Sequence, residues 1–255
     1  MYNFFDVLSE YSTSRRNEKF NQYIASRNWT KETVDKWSLG YFPANDILSL
    51  KVKLTKNGGS EYDLEHFGVY RSKSNKSLFY DRIIFPIKDQ WGKNVAITGR
   101  TLDPNIKPKY FNTIFEKTKI LYGLDQAIDS IIQSQRVYIF EGNADVITAH
   151  QHGITNVVCC MGTALTEEHI VLLARYAKEI VIVFDNDDGG SRALKSFNNK
   201  KIDEKRKEIN IFRCRFNKYK DADEYLNKES KDILLEYINQ SISNEKEQKK
   251  LKNII

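Results

Sequence analysis

Three short acidic stretches hold most of the chemical potential of this sequence: Glu141-Gly142-Asn143-Ala144-Asp145, Asp185-Asn186-Asp187 and Asp221-Ala222-Asp223-Glu224. The first two directly follow the apolar runs 137–140 and 180–184, and uninterrupted runs of this kind read as strands buried on both faces. In an open parallel sheet, ligands collect beyond the carboxyl ends of the strands. If the two strands are neighbours, Glu141, Asp185 and Asp187 converge there. Carboxylates about 5 Å apart repel one another by roughly 3 kcal/mol per pair at an effective dielectric near 20. No Lys or Arg lies between Asp185 and Gly190 to relieve that repulsion. A hard divalent cation with oxygen ligands does relieve it, and Mg2+ or Mn2+ suits a site whose shell is completed by phosphates. Gly142, Gly189 and Gly190 flank the clusters and allow backbone to approach a phosphate closely. Any one cluster alone reads more readily as a helix cap or a solvated loop. Their repeated placement after strands of one sheet favours the metal reading.

The elements that must position these residues follow from periodicity. From residue 137 the chain alternates strands (137–140, 156–161, 180–184, 209–216) with helices (144–151, 166–177, 191–200). Within 166–177, Ile170, Leu173, Ala174 and Ala177 recur at i, i+3, i+4 and i+7, the spacing of one helix face. Thr166 is a suitable N-cap, and Glu167 and Glu168 suit the positive helix start. This pattern predicts an α/β layer with a mainly parallel sheet. Upstream, the chain reads as mixed α/β, with a polar helix over 15–27 and a short helix capped by Thr30. Two strands, 83–88 and 94–100, are joined by the turn Asp89-Gln90-Trp91-Gly92. A loop over 103–109 and a helix over 122–134 follow. Residues 51–77, rich in Lys, Ser, Asn and Gly, read as an exposed stretch. A helix over 232–238 is expected, with 244–253 as a frayed end or linker.

Composition sets the frame. A chain of 255 residues, 40% apolar and 29% charged, is long enough to bury a core in one large or two small domains and is not a disordered composition. Its net charge of +6 points weakly toward a polyanionic partner. The three cysteines are too few and wrongly spaced for a zinc module or a disulfide framework. Adjacent Cys159 and Cys160 read as buried strand positions, so a reducing setting fits best. No signal-peptide pattern occurs, and no apolar run nears the roughly 18–20 residues a membrane span needs. The expectation is a cytoplasmic protein without membrane contact. His150 and His152, two apart on a helix, point in different directions, and neither they nor His169 are expected to be ligands.

In this order and at these intervals, Glu141–Asp145, Gly162-Thr163-Ala164-Leu165-Thr166 and Asp185-Asn186-Asp187 resemble the TOPRIM domain, the metal-binding module shared by DnaG-type primases, topoisomerases and some nucleases. The upstream segments resemble the primase branch in particular. These are Trp37-Ser38-Leu39-Gly40-Tyr41, Tyr80-Asp81-Arg82-Ile83-Ile84-Phe85-Pro86-Ile87, Thr98-Gly99-Arg100, Pro108-Lys109-Tyr110-Phe111-Asn112, and Lys117 followed by Leu121-Tyr122-Gly123-Leu124. The likeness runs from about residue 18 to 230 and covers the RNA polymerase core of bacterial and phage primases.

The resemblance implies an α/β fold class, a TOPRIM parallel-sheet domain preceded by a smaller mixed α/β basic subdomain. The corresponding limits are 1–125 for the basic subdomain, 126–228 for the metal-binding domain, and 229–255 for a C-terminal helix and charged tail. It implies template-directed synthesis of short RNA primers on single-stranded DNA by metal-dependent nucleotidyl transfer. Glu141, Asp185 and Asp187 would be catalytic metal ligands. Asp145, Asp221 and Asp223 would be further ligands for Mg2+ or Mn2+, with no zinc expected in this chain. Arg82, Arg100, Lys109, Asn112 and Lys117 would form a basic face toward triphosphate and template. Asn143 stands where the family usually has Tyr, and Gly189-Gly190 where Ala-Gly is commoner; neither removes a carboxylate. These 255 residues carry neither the family's N-terminal zinc ribbon nor its C-terminal helicase-binding domain: either they are a fragment, or those tasks lie on other proteins, a separate zinc-binding module and a replicative helicase. The size and Lys/Asn-rich composition suit a phage product. Two other readings stay open: another TOPRIM enzyme, such as a nuclease or topoisomerase-like subunit, and a non-catalytic module that binds single strands or a replication partner.

Overall fold

Strands made wholly of apolar residues need cover on both faces, and the second half of the chain supplies it. The computed structural model describes residues 2–44, 46–71, 76–162, 165–186 and 209–252. The chain divides into two units, Met1–Glu116 and Lys117–Ile255.

In the second unit a 3-10 turn, Lys117–Lys119, leads through Leu121–Tyr122 into helix α6 (Leu124–Ser134). Strand β7 (Arg136–Phe140), helix α7 (Asn143–Gln151), strand β8 (Val157–Cys159), helix α8 (Glu167–Leu173) and strand β9 (Glu179–Phe184) follow. Strand β10 (Asn210–Arg215) and helices α9 (Ala222–Lys228) and α10 (Lys231–Lys252) complete the unit. The strands form one parallel sheet in the order β10-β9-β7-β8. Beneath it lies a core containing Val137, Ile139, Val158, Ile170, Leu173, Ile180, Ile182 and Phe184, with Leu124, Ala127 and Ile131 of α6. The strand order carries the functional consequence. From β7 the chain crosses to β8 on one side and then returns to β9 on the other, so winding reverses between β7 and β9. Such a switch point opens a crevice at the carboxyl ends of the two strands.

The first unit packs helices against an antiparallel sheet of order β1-β4-β5-β6, formed by Gly40–Phe42, Arg82–Lys88, Asn94–Thr101 and Tyr110–Asn112. Helices α1 (Phe4–Thr13), α4 (Ile47–Lys56) and α5 (Glu61–His66) close one core around Phe4, Leu8, Leu50, Leu54, Leu64, Phe79, Ile84 and Ile97. Helix α2 (Glu18–Ser26) is capped by Asn17, and α3 (Lys31–Lys36) by Thr30, whose Oγ1 accepts from Thr33 N at 3.2 Å. The tip Lys76–Ser77 (β3) pairs with Tyr70–Arg71 (β2).

Three expectations are corrected. The stretch 51–77 has many exposed residues where described, as expected, but it is not an irregular loop: most of α4 and all of α5 lie in it, and buried Leu54 and Leu64, with Leu50 just before, anchor it. These leucines sit among charged and polar residues, and local composition concealed them. The frayed tail expected over 244–253 is instead helical through Lys252, continuing the helix expected over 232–238. The helix expected over 166–177 ends at Leu173, about a turn early, although Ala177 is buried in the core as its spacing required. The helix expected over 191–200 lies outside the described residues.

Candidate active site

The two central strands bring the first two acidic clusters together. Glu141 directly follows β7 and Asp185 directly follows β9, and Glu141 Oε1 accepts a hydrogen bond from the Asp185 backbone N–H at 2.9 Å. The carboxylate of one strand end is thereby fixed to the backbone of the other, at the switch point. Both residues are half-buried. Asp187, the third expected ligand, lies outside the described residues.

The late acidic cluster meets the same helix that Glu141 introduces. Asp145, one turn into α7, accepts at Oδ1 from Asp223 N (3.0 Å), and Thr148 Oγ1 donates to Asp223 Oδ1. Asp145 and Asp223 are both buried. Asp221 is the N-cap of α9, its Oδ1 accepting from Glu224 N at 2.9 Å. The clusters around residues 145 and 223 are thus one hydrogen-bonded assembly. Gly142 makes room for it: a Cβ there would stand 2.7 Å from Asp145 Oδ2.

Among the described residues, no three His, Cys, Asp or Glu side chains gather as a complete metal site. The donor chemistry nevertheless fits a hard divalent ion, since Glu141 and Asp185 offer only carboxylate oxygens. Soft ligation is disfavoured at this end of the sheet. Burial pushes the Cys159 thiol well above its ordinary range and Cys160 up to about 12, so neither is a thiolate at neutral pH.

The expected basic face separates into parts. Paired residues of adjacent strands share a sheet face. Arg100 pairs with Ile83 and Tyr110, whereas Arg82 pairs with Thr101 and its neighbour Ile84 with Gly99. Arg82 and Arg100 therefore project from opposite faces. Arg82 is 3% exposed, and its Nη1 donates to three backbone carbonyls, Gly99 O, Pro108 O and Lys109 O, at 3.1–3.2 Å. Burial pulls its pKa down. Contrary to the expectation of a phosphate-facing side chain, this guanidinium holds the 108–109 loop in place. Gly99 is part of the device, because a Cβ would stand 2.7 Å from the Phe79 ring and 3.0 Å from Arg82 Cδ.

Arg100 stacks on the Tyr23 ring (4.6 Å), which Arg27 also covers (5.4 Å), in an open cleft of about 650 Å³ with Lys19 and Asp81. Burial pushes the Asp81 carboxyl up, but hydrogen bonds from Tyr41 and Lys19 outweigh it and hold the group below its usual range. Lys109 is exposed beside the Tyr110 ring, and Asn112 is half-buried on the edge strand β6. Lys117 opens the second unit in a turn that a two-way backbone bridge, Tyr122 N to Cys159 O (3.0 Å) and back (3.1 Å), attaches to β8. The sequence reading missed Tyr23; the signal was an aromatic on a helix whose next turn ends in Arg27.

A parallel sheet that delivers carboxylates from its two central strands to one crevice is the TOPRIM class of fold, and residues 138–226 match the Toprim-like family model. Residues 8–128 match the model of the DNA primase catalytic core, N-terminal domain. The chain is 35% identical over 234 residues to the DNA primase of Clostridium acetobutylicum, covering 89% of this chain and 38% of that one. It superposes on the zinc-binding and RNA polymerase domains of the Aquifex aeolicus primase with a TM-score of 0.83 and 28% identity, over 93% of this chain and 60% of that one. The DnaG primase catalytic domain bound to single-stranded DNA has the same fold at TM-score 0.80 and 24% identity, over 93% and 80% of the two chains. The chain belongs to the DnaG-type DNA primase family and represents its catalytic-core region. It spans about a third of the length of the curated relatives it matches.

Proposed function

We propose that this chain is a primase catalytic core that joins nucleoside triphosphates into short RNA primers on single-stranded DNA. The observation that carries the reading is the hydrogen bond from Asp185 N to Glu141 Oε1, which ties the Glu141 carboxylate to the backbone of the second acidic residue at the switch point of a parallel sheet. Glu141, Asp185 and Asp187 would hold Mg2+ or Mn2+. Asp145, Asp221 and Asp223 brace this corner and are further candidates for ligation. When bound, such an ion lowers the pKa of a primer 3′-hydroxyl and neutralises charge on the triphosphate.

The chain's own residues would do the rest. Lys117 and Lys109 would offer ammonium charge to phosphate, Arg100 a planar fork, and Asn112 an amide donor. Arg82 acts by fixing the Lys109 loop. Residues 1–125 would serve template and nucleotide, 126–228 the metal, and 229–255 a supporting helix. Single-stranded DNA is the expected template; the similar DnaG primase catalytic domain is bound to single-stranded DNA. A replicative helicase and a separate zinc-binding module are the expected protein partners, and the cytoplasm of a bacterium or infected host the expected setting. Among the described residues, no helix is long and apolar enough to cross a membrane.

The test is incubation with single-stranded DNA, labelled nucleoside triphosphates and Mg2+ or Mn2+, with and without a zinc module or helicase. Short labelled RNA products that vanish in Asp185→Asn support the proposal. Cut DNA in place of primers supports a nuclease. Metal-indifferent DNA binding, unchanged in Asp185→Asn and without products, supports a binding module.

A further inference from the structure

Lys117 owes its position to a buried histidine far along the chain. His169 is fully buried at the third position of α8, where a Glu or Gln is the usual partner of a Thr cap. Its Nδ1 accepts from Thr166 N (3.3 Å), which leaves Nε2 as the protonated nitrogen. That Nε2–H donates to Lys117 O at 2.8 Å, with Ile120 O 3.2 Å away. Thr166 Oγ1 donates to Thr118 O at 2.9 Å. Two side chains at the start of one helix therefore hold three carbonyls of the Lys117–Ile120 turn. Within the turn itself, the Ile120 N to Lys117 O bond is long at 3.4 Å.

The geometry points to His169 and Thr166 as positioning residues for nucleotide binding, acting through the backbone of Lys117. This rests on the proposed function, which gives Lys117 a triphosphate to meet. Neither side chain touches substrate. They restrict where the Lys117 Cα stands, and with it the arc its ammonium can sweep.

Two amides separate this role from simple capping of α8. Asn places its amide near the position of Nδ1 and can keep the bond from Thr166 N, but it does not reach Lys117 O. Gln places its amide near Nε2 and can keep donating to Lys117 O. Binding of N-methylanthraniloyl-ATP with Mg2+ is followed by fluorescence anisotropy on the full 255-residue chain. His169→Asn is expected to weaken binding roughly three- to tenfold, the loss of about one neutral hydrogen bond, while His169→Gln stays near wild type. In a Lys117→Ala background, His169→Asn should add nothing. Thr166→Val, a same-shape change at a half-buried site, is expected to weaken binding in the same direction and stands as the second arm should His169→Asn not fold.

The inference is overturned if Gln is the more damaging change, if Asn and Thr166→Val both bind as wild type, or if the Asn effect persists without Lys117. Primer synthesis measured beside binding keeps the two readings apart. A wild-type chain that makes no primer overturns the functional proposal and this role with it. An active wild type with unaffected variants overturns the positioning role alone.

Discussion

Replacing Glu141 by Gln isolates charge from structure. Glu141 Oε1 accepts the Asp185 N–H at 2.9 Å, and a Gln Oε1 can accept the same bond, so the architecture should survive. What disappears is one negative charge beside another. Were the two carboxylates about 5 Å apart, that repulsion would be roughly 3 kcal/mol at an effective dielectric near 20, and water around two half-buried groups would reduce it to about 1 kcal/mol. For a chain of this size 1 kcal/mol corresponds to about 2–4 °C in Tm. Metal-free Glu141→Gln should therefore melt a few degrees above metal-free wild type. Adding Mg2+ reverses the order: at a hundredfold excess over Kd, the ion stabilises wild type by about 2.7 kcal/mol, and the variant gains little. Scanning calorimetry of both proteins, with EDTA and with Mg2+, reads the crossover. A variant that melts well below wild type in EDTA would assign Glu141 a structural job, and an equal Mg2+ shift in both would refute its role as a ligand.

Other perturbations follow from specific contacts. Gly99→Ala must displace the Phe79 ring or Arg82; it should cost about 1–3 kcal/mol of stability in urea melts, and an unchanged midpoint would count against Arg82 as the brace of the 108–109 loop. Gly142→Ala, at a backbone φ of −120° that any residue tolerates, should push Asp145 off Asp223 N, lower stability by about 1 kcal/mol and weaken Mn2+ binding; full Mn2+ affinity would separate Asp145 from the metal corner. Burial holds His169 below its ordinary 6.5, against smaller upward pulls from its carbonyl partners and Glu168. A base kept neutral by the fold contributes stability that is complete above 6.5 and lost as pH falls through its lowered folded value. The denaturation midpoint should thus drop below pH 6.5 more steeply in wild type than in His169→Gln, and identical slopes would contradict this.

Much of the second unit was legible because its strands are apolar throughout and end in carboxylates. The run 137–140 followed by Glu141, and 180–184 followed by Asp185, determined both the parallel sheet and the meeting of two acids. The parts that escaped were those where residue type misleads. An arginine is ordinarily exposed, and nothing local marks Arg82 as buried beneath a loop 26 residues further on. Only the pairing of β4 with β5 reveals that it opposes Arg100. Helix α1 also escaped, although Phe4, Leu8 and Tyr11 lie at helical spacing beside the polar Asp6 and Glu10. His169 was set aside as a non-ligand. Its place three residues after a Thr cap hinted at a local bond, but its longer reach to Lys117 depends on tertiary structure alone.

The proposed chemistry requires Glu141 and Asp185 to share a divalent ion at the crevice between β7 and β9. Anomalous diffraction from crystals soaked in Mn2+ locates such an ion directly. A peak is expected within coordination distance, about 2.0–2.4 Å, of carboxylate oxygens from both residues, and it should be lost in Asp185→Asn crystals. A Mn2+ peak held elsewhere, with none between these two side chains, would contradict it.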